Sequence, residues 1–350
     1  MIQFDVDLST LNTLQLRARA VQFARIEQAA QIIPTLHAAG HTTRRLILGG
    51  GSNLVLTGDF NGLVLQMAIA GRALTGEDSD AWYVTAGAGE NWHDFVLWTL
   101  AQGWPGLENL ALIPGTVGAA PIQNIGAYGV EAGDFLHEVV ATHPDSGSVR
   151  RFSQTECALG YRDSLWKKQG WHRSGESVIT EVTFRLPKRW QAVTRYADVA
   201  AALEAQKLAM PTAQEMATIV IGIRRQKLPD PALLPNAGSF FQNPVVDIIT
   251  AAKLGAHYPD MPRYRAEKSA NDAAKGGERV KLAAGWMIEQ AGWKGRSLGP
   301  VGMYEKQALV MVNHEPGTAR GTDVGMLAEA IRSDVKRKFG VGLVPEPIFV

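Results

Sequence analysis

A glycine-rich stretch from Gly103 to Gly129 constrains the fold of this chain more than any other feature. It is crowded with small residues, and Glu108 is its only charged residue. Glycine and proline at this density disfavour a regular helix or a central strand, so the stretch is predicted to be mostly loop. Where glycine supplies the backbone, no Cβ blocks a close approach. The sequence therefore predicts a long loop against which a large planar ligand can lie.

A second glycine cluster, Gly49-Gly50-Gly51-Ser52-Asn53, follows a predicted apolar strand at 45–48. Consecutive glycines let backbone N–H groups converge on an anion, so this cluster can cradle a diphosphate. Gly49 and Gly51 have the spacing of the dinucleotide fingerprint, but Leu54 stands where its third glycine belongs and a strand follows in place of a helix. A Rossmann fold is therefore disfavoured. From the glycines alone, a tight β-turn remains an equal alternative.

Mixed helix and strand patterns along the chain predict an α+β fold. The 350 residues exceed what one core usually serves, so more than one domain is expected. Leu228-Pro-Asp-Pro231 ends a predicted helix, because proline fixes φ and lacks a donor. We place the boundary there, between domains at 1–226 and 227–340. Residues 261–278 are polar and are predicted to form a loop over a ligand.

The predicted elements alternate irregularly along both domains. The predicted helices cover 26–39, 92–102, 197–206, 212–226, 245–257, 281–291 and 323–339, and the predicted strands cover 45–48, 54–56, 62–66, 82–86, 138–142, 148–152, 177–186, 239–242, 307–313 and 344–350.

Charge and cysteine content exclude several classes of function. Lys plus Arg total 35 against 34 for Asp plus Glu, and no basic cluster is long enough to predict nucleic-acid binding. Cys157 is the only cysteine, so no intrachain disulfide is possible and a reducing compartment is expected. The N-terminus has no signal-peptide pattern, and no window is apolar enough to span a bilayer. We therefore expect a cytoplasmic protein without a membrane partner.

The eight histidines lack metal-ligand spacing, so no metal is predicted. Because the chain shows no sustained heptad pattern, a monomer is expected.

Beyond these features, Ile113-Pro-Gly-Thr-Val-Gly-Ala-Ala-Pro-Ile-Gln-Asn-Ile-Gly-Ala-Tyr-Gly129 closely resembles the FAD-binding segment of the UDP-N-acetylenolpyruvoylglucosamine reductases, also called UDP-N-acetylmuramate dehydrogenases. Further blocks occur in the family's order across nearly the whole chain. They are 46–56, Gly87-Ala-Gly-Glu-Asn-Trp92, Gly160-Tyr-Arg-Asp-Ser164, Lys227-Leu-Pro-Asp-Pro231, Asn236-Ala-Gly-Ser-Phe-Phe241, Leu282-Ala-Ala-Gly-Trp286 and Pro345-Glu346. The stretch between Asn243 and Lys281 resembles the family's type I form.

The resemblance implies a two-lobed, vanillyl-alcohol-oxidase-like (PCMH-type) FAD-binding domain followed by a smaller α+β domain that binds a UDP-sugar. The lobes would cover about 1–67 and 68–226, and the C-terminal strand at about 341–350 would return to this domain. Noncovalent FAD is implied at Gly49, Gly50, Gly51, Ser52, Asn53, Ile113, Pro114, Gly115, Thr116, Gly118, Ala119, Gln123, Asn124, Ile125, Gly126 and Tyr161.

The resemblance also implies a reaction. NADPH would reduce the flavin, and hydride would then pass to C3 of the enolpyruvyl group of UDP-N-acetylglucosamine enolpyruvate, giving UDP-N-acetylmuramate. Arg162 and Glu346 match the groups that stabilise the substrate carboxylate, and Ser239 matches the proton donor to C2. Substrate binding is implied at Tyr196, Arg224, Lys227, Asn243, Tyr264, Lys294 and Gln307.

Without the resemblance, Arg162 is more typical of a surface ion pair and Ser239 of a turn serine. One departure is clear, because Ile348 stands where the family often has an arginine. Two alternatives stay open, namely a flavin oxidase of the same fold and a catalytically silent protein that senses flavin or a UDP-sugar. Retention of Arg162, Ser239 and Glu346 argues against the second.

Overall fold

The computed structural model describes residues 1–40, 44–265 and 278–350, which divide into two compact units. The first unit consists of Met1–Asp7, Arg19–Gly51 and Asp59–Gln226, and the second of Leu8–Ala18, Ser52–Gly58 and Lys227–Val350.

Short strands outnumber helices over the described residues. In chain order the strands are β1 (Gln3–Asp7), β2 (Arg19–Ile26), β3 (Arg45–Leu48), β4 (Leu54–Val55), β5 (Phe60–Met67), β6 (Arg72–Glu77), β7 (Ala81–Gly87), β8 (Gly126–Ala127), β9 (Val130–Glu131), β10 (Leu136–Thr142), β11 (Val149–Ser153), β12 (Val178–Pro187), β13 (Asn236–Ser239), β14 (Val245–Asp247), β15 (Arg263–Arg265), β16 (Arg279–Leu282), β17 (Ser297–Leu298), β18 (Val301–Met303), β19 (Val310–Asn313) and β20 (Ile348–Phe349). The helices are α1 (Ile32–Ala39), α2 (Trp92–Ala101), α3 (Leu165–Lys168), α4 (Trp171–Ser174), α5 (Ala197–Ala205), α6 (Ala213–Lys227), α7 (Ile248–His257), α8 (Ala284–Gln290) and α9 (Gly321–Phe339).

The first unit contains two larger sheets. One has the strand order β1-β2-β5-β3, with β5 parallel to both β2 and β3, and α1 packs Ile32 and Leu36 into its core. The other is antiparallel with the order β11-β10-β12-β7-β6. Its side chains alternate between two faces, so Val84 and Phe184 enter a core with Trp92 of α2. This packing fixes the start of α2, on which the glycine-rich stretch rests.

The opposite face of the antiparallel sheet is polar. The hydroxyl of Thr85 lies 2.8 Å from that of Thr75 and 2.7 Å from that of Thr183. One buried and one polar face are what an antiparallel sheet with helices on a single side requires.

In the second unit, the sheet β13-β19-β18-β17 and the helices α8 and α9 enclose an apolar core. The buried face of α9 repeats at helical spacing, with Val324, Leu327, Ile331 and Val335 directed inward. The helix ends at Gly340, whose φ of +70° allows its N–H to reach the Lys336 carbonyl at 2.8 Å. Smaller sheets join β14, β16 and β15, and β20 with β4.

Several predicted bounds were wrong, and two of the errors are short strands that directly precede helices. The strand predicted at 239–242 lies at Asn236–Ser239. The predicted helix 245–257 begins with β14, because the Asp247 side chain accepts the Thr250 N–H at 2.8 Å and starts α7 only there. The helix predicted from 281 is likewise preceded by β16, and the helix predicted from 26 begins at Ile32. Within the predicted loop 261–278, Arg263–Arg265 is a strand, and 266–277 lie outside the described residues.

The two units also differ from the predicted domains. The first ends at Gln226, where the boundary was placed, but 8–18 and 52–58 group with the second unit. The C-terminal strand, predicted to return to the domain 1–226, lies against residues 54–55 of that range, which group with the second unit. It pairs in parallel with β4, and the Thr57 N–H donates to the Val350 carbonyl at 2.9 Å. A glycine favours this packing, because a Cβ on Gly321 would lie 2.3 Å from the Leu56 carbonyl oxygen.

No helix in the described part of the chain combines the length and apolar composition that crossing a bilayer requires. Among the described residues, no three His, Cys, Asp or Glu side chains are grouped closely enough to hold a metal ion.

Candidate functional site

Two glycine-rich loops of the first unit lie against each other. A Cβ on Gly49 would stand 2.7 Å from Thr116 Oγ1, and one on Gly50 would stand 2.9 Å from the Gly115 Cα. Real side chains do not tolerate such distances, so glycine is required on sterics alone. The structure thus brings together two segments that the sequence analysis assigned to one cofactor.

The start of α2 holds the second loop in place. Asn91 caps the helix by accepting the Asp94 N–H at 3.0 Å. The Trp92 N–H donates to the Gly115 carbonyl at 3.1 Å, and the Val117 N–H donates to the Glu90 carbonyl at 2.9 Å. The loop is therefore held in part by backbone hydrogen bonds to the residues around the start of α2.

We expect Gly118→Ala to destabilise this loop. A Cβ there would lie 2.5 Å from the Ala88 Cβ, and overpacking of this kind costs about 1–3 kcal/mol. Gly222→Ala is the matched control, because nothing lies within 4 Å of its added Cβ and it is inside α6, so about 0.5–1 kcal/mol of stabilisation is expected. Urea unfolding of both variants measures the difference. Equal stability would show that the loop relaxes around the added methyl group.

The side chain of Asn124 forms hydrogen bonds within the protein. Its Nδ2 donates to Glu131 Oε2 at 2.6 Å and to the Gly160 carbonyl at 3.1 Å, and its Oδ1 accepts the Gly133 N–H at 2.8 Å. Asn124 is buried and has a φ of +46°, a conformation that asparagine tolerates better than most residues. Only its backbone is available to a ligand in this loop.

Arg162 is fixed above the same loop. Its Nη2 donates to the Gly126 carbonyl at 2.9 Å and its Nη1 to the Asn124 carbonyl at 3.4 Å, while the guanidinium lies 5.3 Å from the centre of the Tyr161 ring. Its backbone φ of +53° lies in the left-handed region, which is costly for a residue with a Cβ. Two carbonyls and an aromatic ring thus hold a cation in one place.

These loops fit a flavin dinucleotide. Neither Gly49–Gly51 nor the segment 113–126 carries an acidic side chain, so a diphosphate would meet no repulsion from them. Gly50 is exposed and Gly51 has a φ of +63°, so backbone is accessible where a Cβ would block it. The cofactor prediction therefore agrees with the geometry of the first unit. Ser52 and Asn53 belong to the second unit.

A second cluster forms around Tyr128. The Tyr196 ring meets the Tyr128 ring edge-on at 5.2 Å, and the Tyr128 hydroxyl is hydrogen-bonded to Arg224. Burial lowers the pKa of the Arg224 guanidinium from its ordinary value, against the opposing effect of Tyr128. Arg224 Nε and Asn109 Oδ1 are buried and have no hydrogen-bond partner among the described residues. Such unsatisfied groups are typical of a place that a ligand completes.

Sequence reasoning missed Tyr128 and Asn109. Tyr128 lies inside the quoted glycine-rich segment and has a φ of +50°, and Asn109 Nδ2 donates to the Tyr128 carbonyl at 2.9 Å. Their position among glycines was the available signal, but no spacing rule links them to Arg224, some hundred residues later.

In the second unit, Ser239 and Glu346 lie on neighbouring segments. Ser239 ends β13, the Phe240 carbonyl that follows it accepts the Glu346 N–H at 2.8 Å, and Phe241 pairs with Pro345. Asn53 Nδ2 donates to the Glu346 carbonyl at 3.3 Å. The backbones of two segments that are far apart in sequence are thus adjacent here, and Ser239 and Glu346 are both half-buried.

Two predicted substrate residues meet at the start of α8. Asn243 Oδ1 accepts the Ala284 N–H at 2.9 Å, and Gln307 Oε1 would lie 3.3 Å from a Cβ on Gly285. The other predicted residues of this unit are more dispersed. Lys294 Nζ forms a surface ion pair with Glu289 Oε1 at 2.8 Å, and Tyr264 is exposed on β15 opposite Lys281. Lys227 is half-buried at the first position of the unit's longest segment, Lys227–Val350.

Comparison with known proteins decides the family. Residues 230–350 match the model of the UDP-N-acetylenolpyruvoylglucosamine reductase C-terminal domain, and residues 20–153 match an FAD-binding domain model. The UDP-N-acetylenolpyruvoylglucosamine reductase of Dechloromonas aromatica is 56% identical over 99% of this chain and 98% of its own length, and that of Azoarcus sp. is 55% identical over 100% and 98%. The chain belongs to the UDP-N-acetylenolpyruvoylglucosamine reductase family.

A solved reductase of this family confirms the fold. The crystal structure from Thermus caldophilus matches with a TM-score of 0.65 at 21% identity and covers 100% of this chain and 98% of that one. The predicted α+β class with an FAD-binding domain is therefore confirmed, and so is the predicted cofactor. As a member of this reductase family, the protein is an FAD-dependent oxidoreductase.

Proposed function

We propose that the protein reduces UDP-N-acetylglucosamine enolpyruvate to UDP-N-acetylmuramate with NADPH, a step in the synthesis of peptidoglycan precursors. The family supports the reaction, and one observation on this chain carries the proposal. Ser239 and Glu346 are 107 positions apart in the sequence, yet the carbonyl of Phe240, the residue after Ser239, accepts the Glu346 N–H at 2.8 Å. A proton donor and a second polar group for one substrate need this proximity.

The chemistry that noncovalently bound FAD supplies is two-electron transfer, with hydride accepted from NADPH and delivered to C3 of the enolpyruvyl group. The remaining work falls to side chains. Hydride addition at C3 leaves an electron pair at C2, and we assign the proton that completes the new C–H bond there to the Ser239 hydroxyl. A hydroxyl is a weak acid, so Ser239 must recover its proton through hydrogen-bonded neighbours.

The negative charge that develops on the substrate carboxylate needs a cation already in position. We assign this role to Arg162, because the Gly126 and Asn124 carbonyls fix its guanidinium and no reorganisation is needed during the reaction. Glu346 is assigned to the same carboxylate as an acid.

The UDP-sugar is assigned to the remaining predicted residues with unequal support. Arg224 and Tyr196 are supported by the incomplete hydrogen bonding around Tyr128, and Asn243 and Gln307 by their meeting at α8. Lys227 and Tyr264 rest on the family resemblance alone. Lys294 is the weakest assignment, since Glu289 already neutralises it at the surface.

Anaerobic stopped-flow absorbance tests the reaction. NADPH should bleach the bound flavin, and the enolpyruvyl substrate should then restore its colour and yield UDP-N-acetylmuramate. If the flavin stays reduced until oxygen is admitted, the protein is an oxidase and the proposal fails. Acid precipitation should release the flavin, because the attachment is proposed to be noncovalent. We further propose that the protein is cytoplasmic, monomeric and without a nucleic-acid partner. Sedimentation of the purified protein measures its molecular mass and so tests whether it is a monomer.

Ile348→Arg should change substrate affinity only modestly. Ile348 is half-buried in β20, and its N–H donates to the Asn53 carbonyl at 2.9 Å, so the substitution leaves the backbone pairing intact. A half-exposed charge interaction is worth about 0–1 kcal/mol, so KM should fall by at most about fivefold. Steady-state kinetics measures this, with Ile249→Arg on the exposed start of α7 as the control. An unchanged KM would show that the position makes no substrate contact.

A further inference from the structure

We propose that His93 is a positioning residue that holds the flavin-binding loop through an unprotonated ring nitrogen, so that flavin affinity falls in mild acid. The inference rests on the proposed cofactor role of the loop that contains Ile113, Pro114 and Gly115. His93 lies in the first turn of α2, and its Nδ1 accepts the Leu112 N–H at 3.0 Å. Leu112 directly precedes the loop.

The bond matters because Leu112 has an unfavourable backbone. Its φ of +61° lies in the left-handed region, where a leucine is held only by its surroundings. Trp92 contributes two further bonds, from its N–H to the Gly115 carbonyl at 3.1 Å and from Nε1 to the Leu110 carbonyl at 2.9 Å. Residues 92 and 93 therefore hold this part of the chain at three points, and only the bond that His93 Nδ1 accepts can be broken by a proton.

A ring nitrogen that accepts a backbone N–H must be unprotonated, so the neutral ring carries its proton on Nε2. Burial lowers the pKa of His93 from its ordinary value, and the positive charges of Arg225 and Arg224 on α6 act in the same direction. Asp94, the next residue of α2, acts in the opposite direction. The surroundings on both helices thus keep Nδ1 available as an acceptor at neutral pH.

The sign of the pH dependence follows from this shift. Since the pKa is lower in the folded protein than in the unfolded chain, the contribution of His93 is complete above the unfolded pKa of about 6.5. It is lost as the pH falls from there through the folded pKa. FAD binds the folded protein, in which His93 takes up its proton only at the lowered pKa. The dissociation constant for FAD should therefore rise as the pH falls through that folded pKa, below about 6.5, by roughly tenfold for one lost hydrogen bond.

Two substitutions test the inference in the full-length protein. In His93→Asn, Oδ1 occupies the place of Nδ1 and does not titrate, so FAD should bind with near-normal affinity at pH 7.5 and show no rise in the dissociation constant between pH 7.5 and 5. In His93→Leu the acceptor is absent, so affinity should be roughly tenfold lower at both pH values. His137→Asn, on the polar face of the antiparallel sheet, is the matched control and should retain the acid-dependent loss.

FAD affinity is measured by fluorescence titration of the deflavinated protein, and urea unfolding of the same samples shows whether each variant is folded. If His93→Asn keeps the full pH dependence, or if folded His93→Leu binds FAD normally, the inference is overturned. A folded variant of the loop itself, Thr116→Val, separates the two proposals. If neither it nor His93→Leu alters FAD affinity, the loop does not bind the cofactor and the proposed site fails as well.

Discussion

Ser239→Ala is expected to slow transfer from reduced flavin to the enolpyruvyl substrate by about 10²–10⁴-fold, the usual contribution of a positioned proton donor. Reduction of the flavin by NADPH should be unchanged, because no proton to C2 is needed in that half-reaction. Stopped-flow absorbance resolves the two steps in one experiment. Substrate affinity, measured by perturbation of the oxidised flavin spectrum, should also be preserved.

The matched control is Ser297→Ala, which removes a hydroxyl from the exposed strand β17 of the same unit. It should leave both half-reactions within about twofold, as surface substitutions usually do. A Ser239→Ala protein that reoxidises as fast as the control would show that another group protonates C2. Equal losses in both half-reactions would instead indicate damage to the fold.

Arg162→Lys is expected to lower kcat/KM for the enolpyruvyl substrate by about 10²–10³-fold, the range seen when a preorganised donor to a developing negative charge is removed. Lysine keeps the positive charge, but it lacks the planar fork that reaches the Gly126 and Asn124 carbonyls together. The loss should therefore come from geometry, and kcat should fall more than KM rises. NADPH reduction of the flavin should be little changed.

Arg173→Lys serves as the control, because Arg173 is exposed on the short helix α4 of the same unit. The FAD content per polypeptide must be measured for both variants, since Arg162 also contacts the loop. If Arg162→Lys loses flavin without losing activity per bound flavin, its role is to anchor the loop, and the assigned role at the substrate carboxylate is wrong.

The sequence predicted those parts of the fold whose signals are local. Strand β3 agrees with its prediction at both ends, and α2 within one residue, because an apolar run and a capped amphipathic helix are each visible in a short window. The glycine-rich stretch was also predicted, since glycine and proline act on their own backbone. The predicted bounds were wrong at β14 and β16. These strands are too short for an alternation of apolar and polar residues to distinguish them from the helices that follow.

The site was predictable only where a motif carried it. The family resemblance predicted roles for Arg162 and Ser239, and these roles stay predictions. Nothing in the sequence showed that the Asn124 side chain forms its hydrogen bonds with Glu131, Gly160 and Gly133. The sequence also did not show that Glu108, the one charged residue of the glycine-rich stretch, is buried and accepts hydrogen bonds from the Gly106 N–H and from Trp190 Nε1. Burial raises the pKa of this carboxyl. These partners are tertiary contacts, which local patterns do not encode.

Strand β4 pairs with β20, and Asn53 meets Glu346 across 293 positions of the chain. On a ribosome that adds about 5–20 residues per second, the segment around Asn53 waits roughly 15–60 s before its partner is made. Until then the apolar residues of this segment lack the neighbours against which they pack in the folded protein. Premature termination anywhere in that interval leaves the Phe240 carbonyl and the Asn53 side chain without their bonds to Glu346, so a shortened polypeptide cannot complete this unit. The second unit can therefore complete this pairing only after translation has passed β20.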